Sequence, residues 1–177
     1  MDFAAFDKKY FAQYPFLYEY LNKFFGCVLE VGTGYGTVAQ YLAEKCESYT
    51  GLDIAEGPLK ILKERGLDNE QGNVLSLPYP DNHFDGVVSI GCIHHTGNMQ
   101  KAAHELIRVL KPGGRLLVMV YNAEGKKAVD RNTQGEDAPH TDYATVAEAQ
   151  ALFALLPSVT ICERNGAYRD IYIEAVK

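Results

Sequence analysis

Three kinds of residue in this sequence have types and spacing suited to chemistry: glycines at 32, 34 and 36, carboxylates at Glu30 and Asp53, and the adjacent imidazoles of His94 and His95. The glycines follow Val28, Leu29 and Val31 at once and precede the run Val38-Ala39-Gln40-Tyr41-Leu42, so a short buried strand, a turn and a helix are expected. Glycine there lets the backbone take a positive φ and lets a ligand approach without meeting a Cβ, while the free N–H groups at the helix start offer hydrogen bonds. Tight turns also need glycine for purely structural reasons. The spacing is G-x-G-x-G; a dinucleotide fingerprint, G-x-G-x-x-G, would need glycine where this chain has Thr37.

Glu30 lies inside an apolar strand, where an uncompensated carboxylate is costly to bury, so it is expected near the strand end beside polar groups. Asp53 comes 21 residues after Gly32, at the tip of a second strand. In doubly wound sheets such an acid faces the ligand crevice, and its two oxygens can accept both hydroxyls of a ribose; the alternative is a strand-ending Asp that caps the next helix. His94 and His95 follow a fourth strand, residues 86–90, whose end should open beside the first strand, at the switch point of the sheet. One imidazole could take a proton from an acceptor near neutral pH, with helix packing or capping the competing role. Adjacent histidines point in different directions and nothing supplies a clear third ligand, so no metal site is expected.

The elements that must hold these groups are legible around them. Residues 3–25 are rich in aromatics, with Tyr10, Tyr14, Leu17 and Leu21 at helical spacing and Pro15 dividing two short helices. Packing onto the sheet is their plain role; Tyr10 or Tyr14 closing over a ligand is the sharper one. Pro58 starts a helix that Gly66 ends, and Asn98 caps another whose stripe is Met99, Ala103, Leu106 and Leu110. Pro112 stops that helix, and Gly113 and Gly114 turn the chain into a strand over residues 115–120. Residues 121–143 are polar and without periodicity, a loop suited to substrate selection. Arg131, Asp137 and His140 are candidate contacts there, a merely solvated loop being the alternative. A helix over residues 144–156 and strands over 158–162 and 171–176 bring the count to seven strands.

Composition bounds the partners. With 177 residues, 47% hydrophobic and 23% charged, the chain fits one domain with a proper core. A net charge of −6 argues against a broad nucleic-acid or anionic-membrane surface. Four widely spaced cysteines with no C-x-x-C pair suggest reduced thiols in a cytoplasmic protein, and neither a basic leader nor a membrane-length apolar run is expected.

Taken together, residues 28–121 closely resemble the class I, seven-stranded S-adenosylmethionine-dependent methyltransferases, and the two flanks do so more loosely. An acid precedes the glycines in that family's first motif as Glu30 does here, and the run Arg-Val-Leu-Lys-Pro-Gly-Gly at 108–114 is among the more specific likenesses. The segment 84–96 resembles a subgroup that carries a His-His-Thr signature, here His94, His95 and Thr96. The resemblance implies an α/β, doubly wound, mostly parallel sheet of order 3-2-1-4-5-7-6, with strand 7 antiparallel and helices on both faces. It implies S-adenosylmethionine as cofactor, with Glu30, Gly32, Thr33, Gly34 and Gly36 at the methionine end and Asp53 and Ile54 at the ribose. Asn73 and Val74 would read the adenine, and Ser89, Ile90 and Gly91 would lie beside the sulfonium. The family usually has Asp where this chain has Asn73, a departure that keeps an acceptor oxygen without a charge. N-terminal helices often form part of the lid in this family, which makes Tyr10 and Tyr14 candidate pocket residues.

The reading is therefore a single methyltransferase domain over residues 1–177, with a helical lid at 1–25 and a variable loop at 121–143. It would transfer a methyl group to an O or N atom of a small-molecule acceptor, with no nucleic-acid or membrane partner, as a monomer or homodimer. His94 and His95 are the candidate bases, although methyl transfer can proceed by alignment and desolvation alone. Two alternatives stay open: a non-catalytic S-adenosylmethionine-binding subunit, and an NAD-dependent oxidoreductase, which the glycine spacing disfavours.

Overall fold

The computed structural model describes residues 2–125, 141–164 and 169–177. Arg131, Asp137 and His140 lie outside the described residues. Strands β1 (Cys27–Val31), β2 (Ser48–Asp53), β3 (Asn69–Gln71), β4 (Phe84–Ile90), β5 (Leu110–Val120), β6 (Ser158–Arg164) and β7 (Asp170–Val176) form one sheet of order β3-β2-β1-β4-β5-β7-β6. The first five are mutually parallel, and β7 is antiparallel to both β5 and β6. This is the expected seven-stranded, doubly wound arrangement.

Side chains of a strand alternate between faces, and the sheet accordingly separates two cores. Val28, Val88, Leu117 and Tyr172 face helices α1 (Phe3–Gln13), α2 (Leu17–Leu21), α3 (Thr37–Lys45) and α4 (Glu56–Glu64), packing against Phe11, Leu17, Leu42 and Leu62. Leu29, Val87, Leu116 and Ile173 face α5 (Met99–Val109) and α6 (Val146–Leu152), packing against Leu106, Val109 and Ala149. β1 carries both faces at once, which is why it is apolar throughout except for Glu30.

Three departures from the sequence reading go beyond a residue or two at a strand end. Leu110 is extended, at φ −77 and ψ 135, so α5 ends at Val109 and β5 already begins at Leu110. Phe84 pairs with Leu110 and Gly86 with Arg115, so Pro112, Gly113 and Gly114 form an irregularity inside the strand edge instead of a separate turn. The helix expected over 144–156 is confined to Val146–Leu152, opened by a capping box between Thr145 and Glu148.

Candidate active site

The parallel strands all end on one side, and two cavities of about 400 and 180 Å³ lie there, meeting at Gly32 and Gly34, which line both. The turn that joins them depends on its glycines. Gly32 has φ +79, and a Cβ on it would lie 2.3 Å from the Cys92 Cβ, so the turn after β1 closes against the segment after β4 only without a side chain. Gly34 has φ +52 and nothing within 4 Å of where its Cβ would be, leaving bare backbone toward open space. Gly36 is buried, turned back by its N–H donating to the Thr33 carbonyl at 2.9 Å, and sets the start of α3.

The larger cavity is bordered by Asp53 at the end of β2 and Ile54 just after it, Asn73 and Val74 after β3, Gly91 after β4, and His95 and Thr96. Asp53 Oδ1 accepts the Ala55 N–H at 3.0 Å, which turns the chain toward α4, whose N-cap is Ala55; Asp53 does not itself cap that helix. Asn73 Oδ1 accepts the Leu75 N–H at 2.9 Å, so this side chain shapes its own turn while lining the cavity. Cys92 and Leu75 also line it, and sequence reasoning assigned neither to the site. Burial pushes the Cys92 thiol up to about 12, with the charges of Asp53 and Glu30 adding to the shift.

The smaller cavity is walled by Glu30, Thr33, Ile90 and Tyr35, with Phe6 and Tyr10 of α1 completing the wall. Glu30 is 3% exposed and accepts the Tyr49 hydroxyl at 2.7 Å. Its opposite number on β2 is Gly51, and a Cβ there would lie 2.7 Å from that hydroxyl, so the glycine makes room for the partner that the carboxylate requires. Desolvation dominates nevertheless and raises the Glu30 carboxyl from 4.5 to about 8, opposed by the Tyr49 hydrogen bond and supported by the Asp53 charge. Thr33 Oγ1 is buried with no hydrogen-bond partner among the described residues. An unsatisfied hydroxyl, a carboxyl and bare glycine backbone around one space suit a ligand that carries both a cationic and an anionic group.

Not every expected residue reaches a cavity. Ser89 is fully buried within β4, in register with Val118. Tyr14 packs on Tyr10, with ring centroids 4.9 Å apart, and lines neither space. The two histidines divide: His94 is 0% exposed with its ring 3.9 Å from that of Tyr121, whereas His95 is exposed, borders the larger cavity and has Nδ1 3.2 Å from Thr141 Oγ1. Among the described residues, no group of three or more metal-ligating side chains could hold an ion.

The profile of the family described as "Methyltransferase domain" matches residues 29–118, just over half of the chain, running from within β1 to within β5 and including every residue that lines the larger cavity. The chain belongs to the methyltransferase-domain family. That membership implies S-adenosylmethionine as the cofactor and sets aside the oxidoreductase alternative. The chain is 29% identical to the uncharacterised methyltransferase YcgJ of Bacillus subtilis over 155 residues, 81% of this chain and 58% of that protein. It is 38% identical over 96 residues to the fatty-acid O-methyltransferase of Mycolicibacterium smegmatis, covering 51% of this chain and 35% of that one. The chain thus spans less than two thirds of the length of either relative. In fold it resembles a SAM-dependent methyltransferase of Thermotoga maritima, with a TM-score of 0.74 and 20% identity over 96% of this chain and 93% of that one. No helix among the described residues is long and apolar enough to cross a membrane.

Proposed function

We propose that this methyltransferase-family chain is an active enzyme that methylates an O or N atom of a small-molecule acceptor. The observation that carries the reading is the pair of cavities joined at Gly32 and Gly34, with Ile90 on one and Gly91 on the other. A donor with an adenosine half and an amino-acid half matches that partition. Asp53 would accept the ribose hydroxyls, with Ile54 against the sugar, and Asn73 and Val74 would hold the adenine. Glu30, Thr33 and the backbone at Gly32, Gly34 and Gly36 would hold the methionine end. Ser89, Ile90 and Gly91 would then flank the reacting centre, Ser89 from within the strand.

S-adenosylmethionine supplies an electrophilic methyl on a sulfonium. The chain's own part is to align an acceptor in line with it and to exclude water, which can account for much of the barrier reduction. Of the two candidate bases, His95 stands where it can meet an acceptor, and His94 supports it from below, so the His-His-Thr segment divides into a working and a packing residue. Tyr10 would close over the site from α1, with Tyr14 behind it. The proposed enzyme is cytoplasmic, a single domain, monomeric or homodimeric, and acts on neither nucleic acid nor membrane. The fatty-acid O-methyltransferase named for the mycobacterial relative favours an O-acceptor for the first screens.

Calorimetric titration with S-adenosylmethionine, S-adenosylhomocysteine and NAD, repeated with Asp53→Ala, tests the cofactor half of the reading. Micromolar binding of the first two, lost in the variant and absent for NAD, is expected. Methyl transfer from labelled cofactor to any member of an O- and N-acceptor panel tests the rest; binding without transfer to any acceptor favours the non-catalytic subunit.

A further inference from the structure

α1 forms part of the wall of the smaller cavity, yet only one of its residues, Phe11, is buried. An open groove of about 460 Å³, lined by Phe3, Asp7 and Phe11 on one side and Gln40 and Tyr41 on the other, runs along part of its seam with α3. An 11-residue helix is marginal by itself and is held in place by what it packs against. Its apolar contacts are ring on ring, Phe6 with Tyr35 at 5.3 Å between centroids and Phe11 with Tyr18 at 4.4 Å and Tyr41 at 5.6 Å, and a polar contact adds to them.

That contact is a fork. Arg65, which follows α4, donates from Nη1 to Asp7 Oδ2 at 2.8 Å and from Nη2 to Asp7 Oδ1 at 2.9 Å, and the Thr37 hydroxyl donates to the same Oδ1 at 2.7 Å. The Arg65 side chain is 2% exposed and that of Asp7 18%, so the pair is shielded from water, where bidentate pairing is strongest. The guanidinium also lies 4.2 Å from the centre of the Phe3 ring. On its other side Arg65 presses on the glycine turn: a Cβ on Gly36 would lie 3.1 Å from its Cδ. One arginine thus ties α1 to the turn that joins the two cavities. One helical turn beyond Asp7, Tyr10 reaches the smaller cavity, as Phe6 does beside it.

Resting on the cofactor reading above, we infer that Asp7 and Arg65 are positioning residues whose ion pair holds α1 as the roof of the smaller cavity and so retains the methionine end of the cofactor. Neither lines that cavity. They act through Phe6 and Tyr10.

The test pairs hydrogen–deuterium exchange over residues 3–13 with S-adenosylhomocysteine affinity and dissociation rate, on the full chain. Asp7→Asn keeps the shape and removes the charge. It is expected to release exchange protection in α1 while β1, β4 and β5 stay protected, and to weaken S-adenosylhomocysteine about tenfold through faster dissociation; Asp7→Glu is expected to restore most of both. Phe3→Ala, which lines neither ligand cavity, gives a milder version of the same change, about threefold, and carries the test if Asp7→Asn fails to fold. Loss of α1 protection with unchanged dissociation overturns the inference, as does unchanged protection in the variants, because α1 is then either no roof or not latched. Wild-type protein that binds neither S-adenosylmethionine nor its product overturns the cofactor reading and this inference together, whereas wild-type binding with unaffected variants overturns this inference alone.

Discussion

The Tyr49 hydroxyl donates a 2.7 Å hydrogen bond to a Glu30 carboxylate that the sheet buries almost completely. Folding raises the Glu30 carboxyl from 4.5 to about 8, so the folded protein binds that proton more tightly than the unfolded chain does. The stability it contributes is present below about pH 4.5 and is lost as the pH rises to about 8. Glu30→Gln, which keeps an acceptor for Tyr49, is expected to remove this loss, melting higher than wild type at pH 8.5 and close to it at pH 5. Thermal melts across the range check it; parallel pH profiles in the two proteins would refute it.

The same carboxyl links pH to cofactor binding. A cationic methionine end beside Glu30 favours its ionised form, so binding at pH 7 should expel up to one proton. Calorimetry in buffers of different ionisation enthalpy reads this directly. Glu30→Gln should abolish the release and weaken binding by about tenfold, or about 1.4 kcal/mol.

The two inner glycines should fail in different ways. Gly32→Ala forces a Cβ to within 2.3 Å of that of Cys92 at a positive φ, and is expected to cost about 2–4 kcal/mol of stability. Gly34→Ala meets nothing within 4 Å, and its left-handed φ costs only about 1–2 kcal/mol. Gly34 lines both cavities, so affinity for S-adenosylhomocysteine should fall further than melting temperature does.

At the larger cavity, Asn73→Asp keeps the oxygen that accepts the Leu75 N–H and adds a charge. It is expected to tighten cofactor binding about three- to tenfold, because a charged acceptor is roughly twice as strong toward an amine. Unchanged affinity would place the adenine away from residue 73.

The histidine pair predicts a split between stability and rate. His94→Ala removes a fully buried ring against Tyr121 and should cost about 2–4 kcal/mol in a denaturant titration. His95→Ala, exposed at the cavity edge, should leave that titration unchanged and slow methyl transfer more than tenfold, about 1.4 kcal/mol in the barrier. A smaller loss would leave alignment and desolvation as the whole of catalysis.

Much of the fold was written locally. Apolar runs bounded by turn residues located the seven strands, and the helical spacing of Tyr10, Tyr14, Leu17 and Leu21 about Pro15 located both helices of the N-terminal segment, since each signal lies within a few residues of the element it specifies. Asp53 and Gly91 were legible as cavity-lining positions because the ends of parallel strands share one edge of the sheet, whereas Asn73 was legible only through the family resemblance. Sequence reading erred where a local signal was overridden, as when Pro112 and the glycines after it were absorbed into β5 by pairing with β4.

What the sequence by itself determined, then, is the strands, their order through the family resemblance, and the residue types placed along the ligand-facing edge. Tertiary structure alone decided which of those residues meet. Glu30 finds Tyr49 across a strand, Arg65 finds Asp7 at a distance of 58 residues in sequence, and His94 turns inward while His95 turns out. Contacts between side chains far apart in the chain depend on strand register and helix docking, which leave no periodicity to read. Burial, which sets the proton affinity of Glu30, is a property of the whole packed molecule.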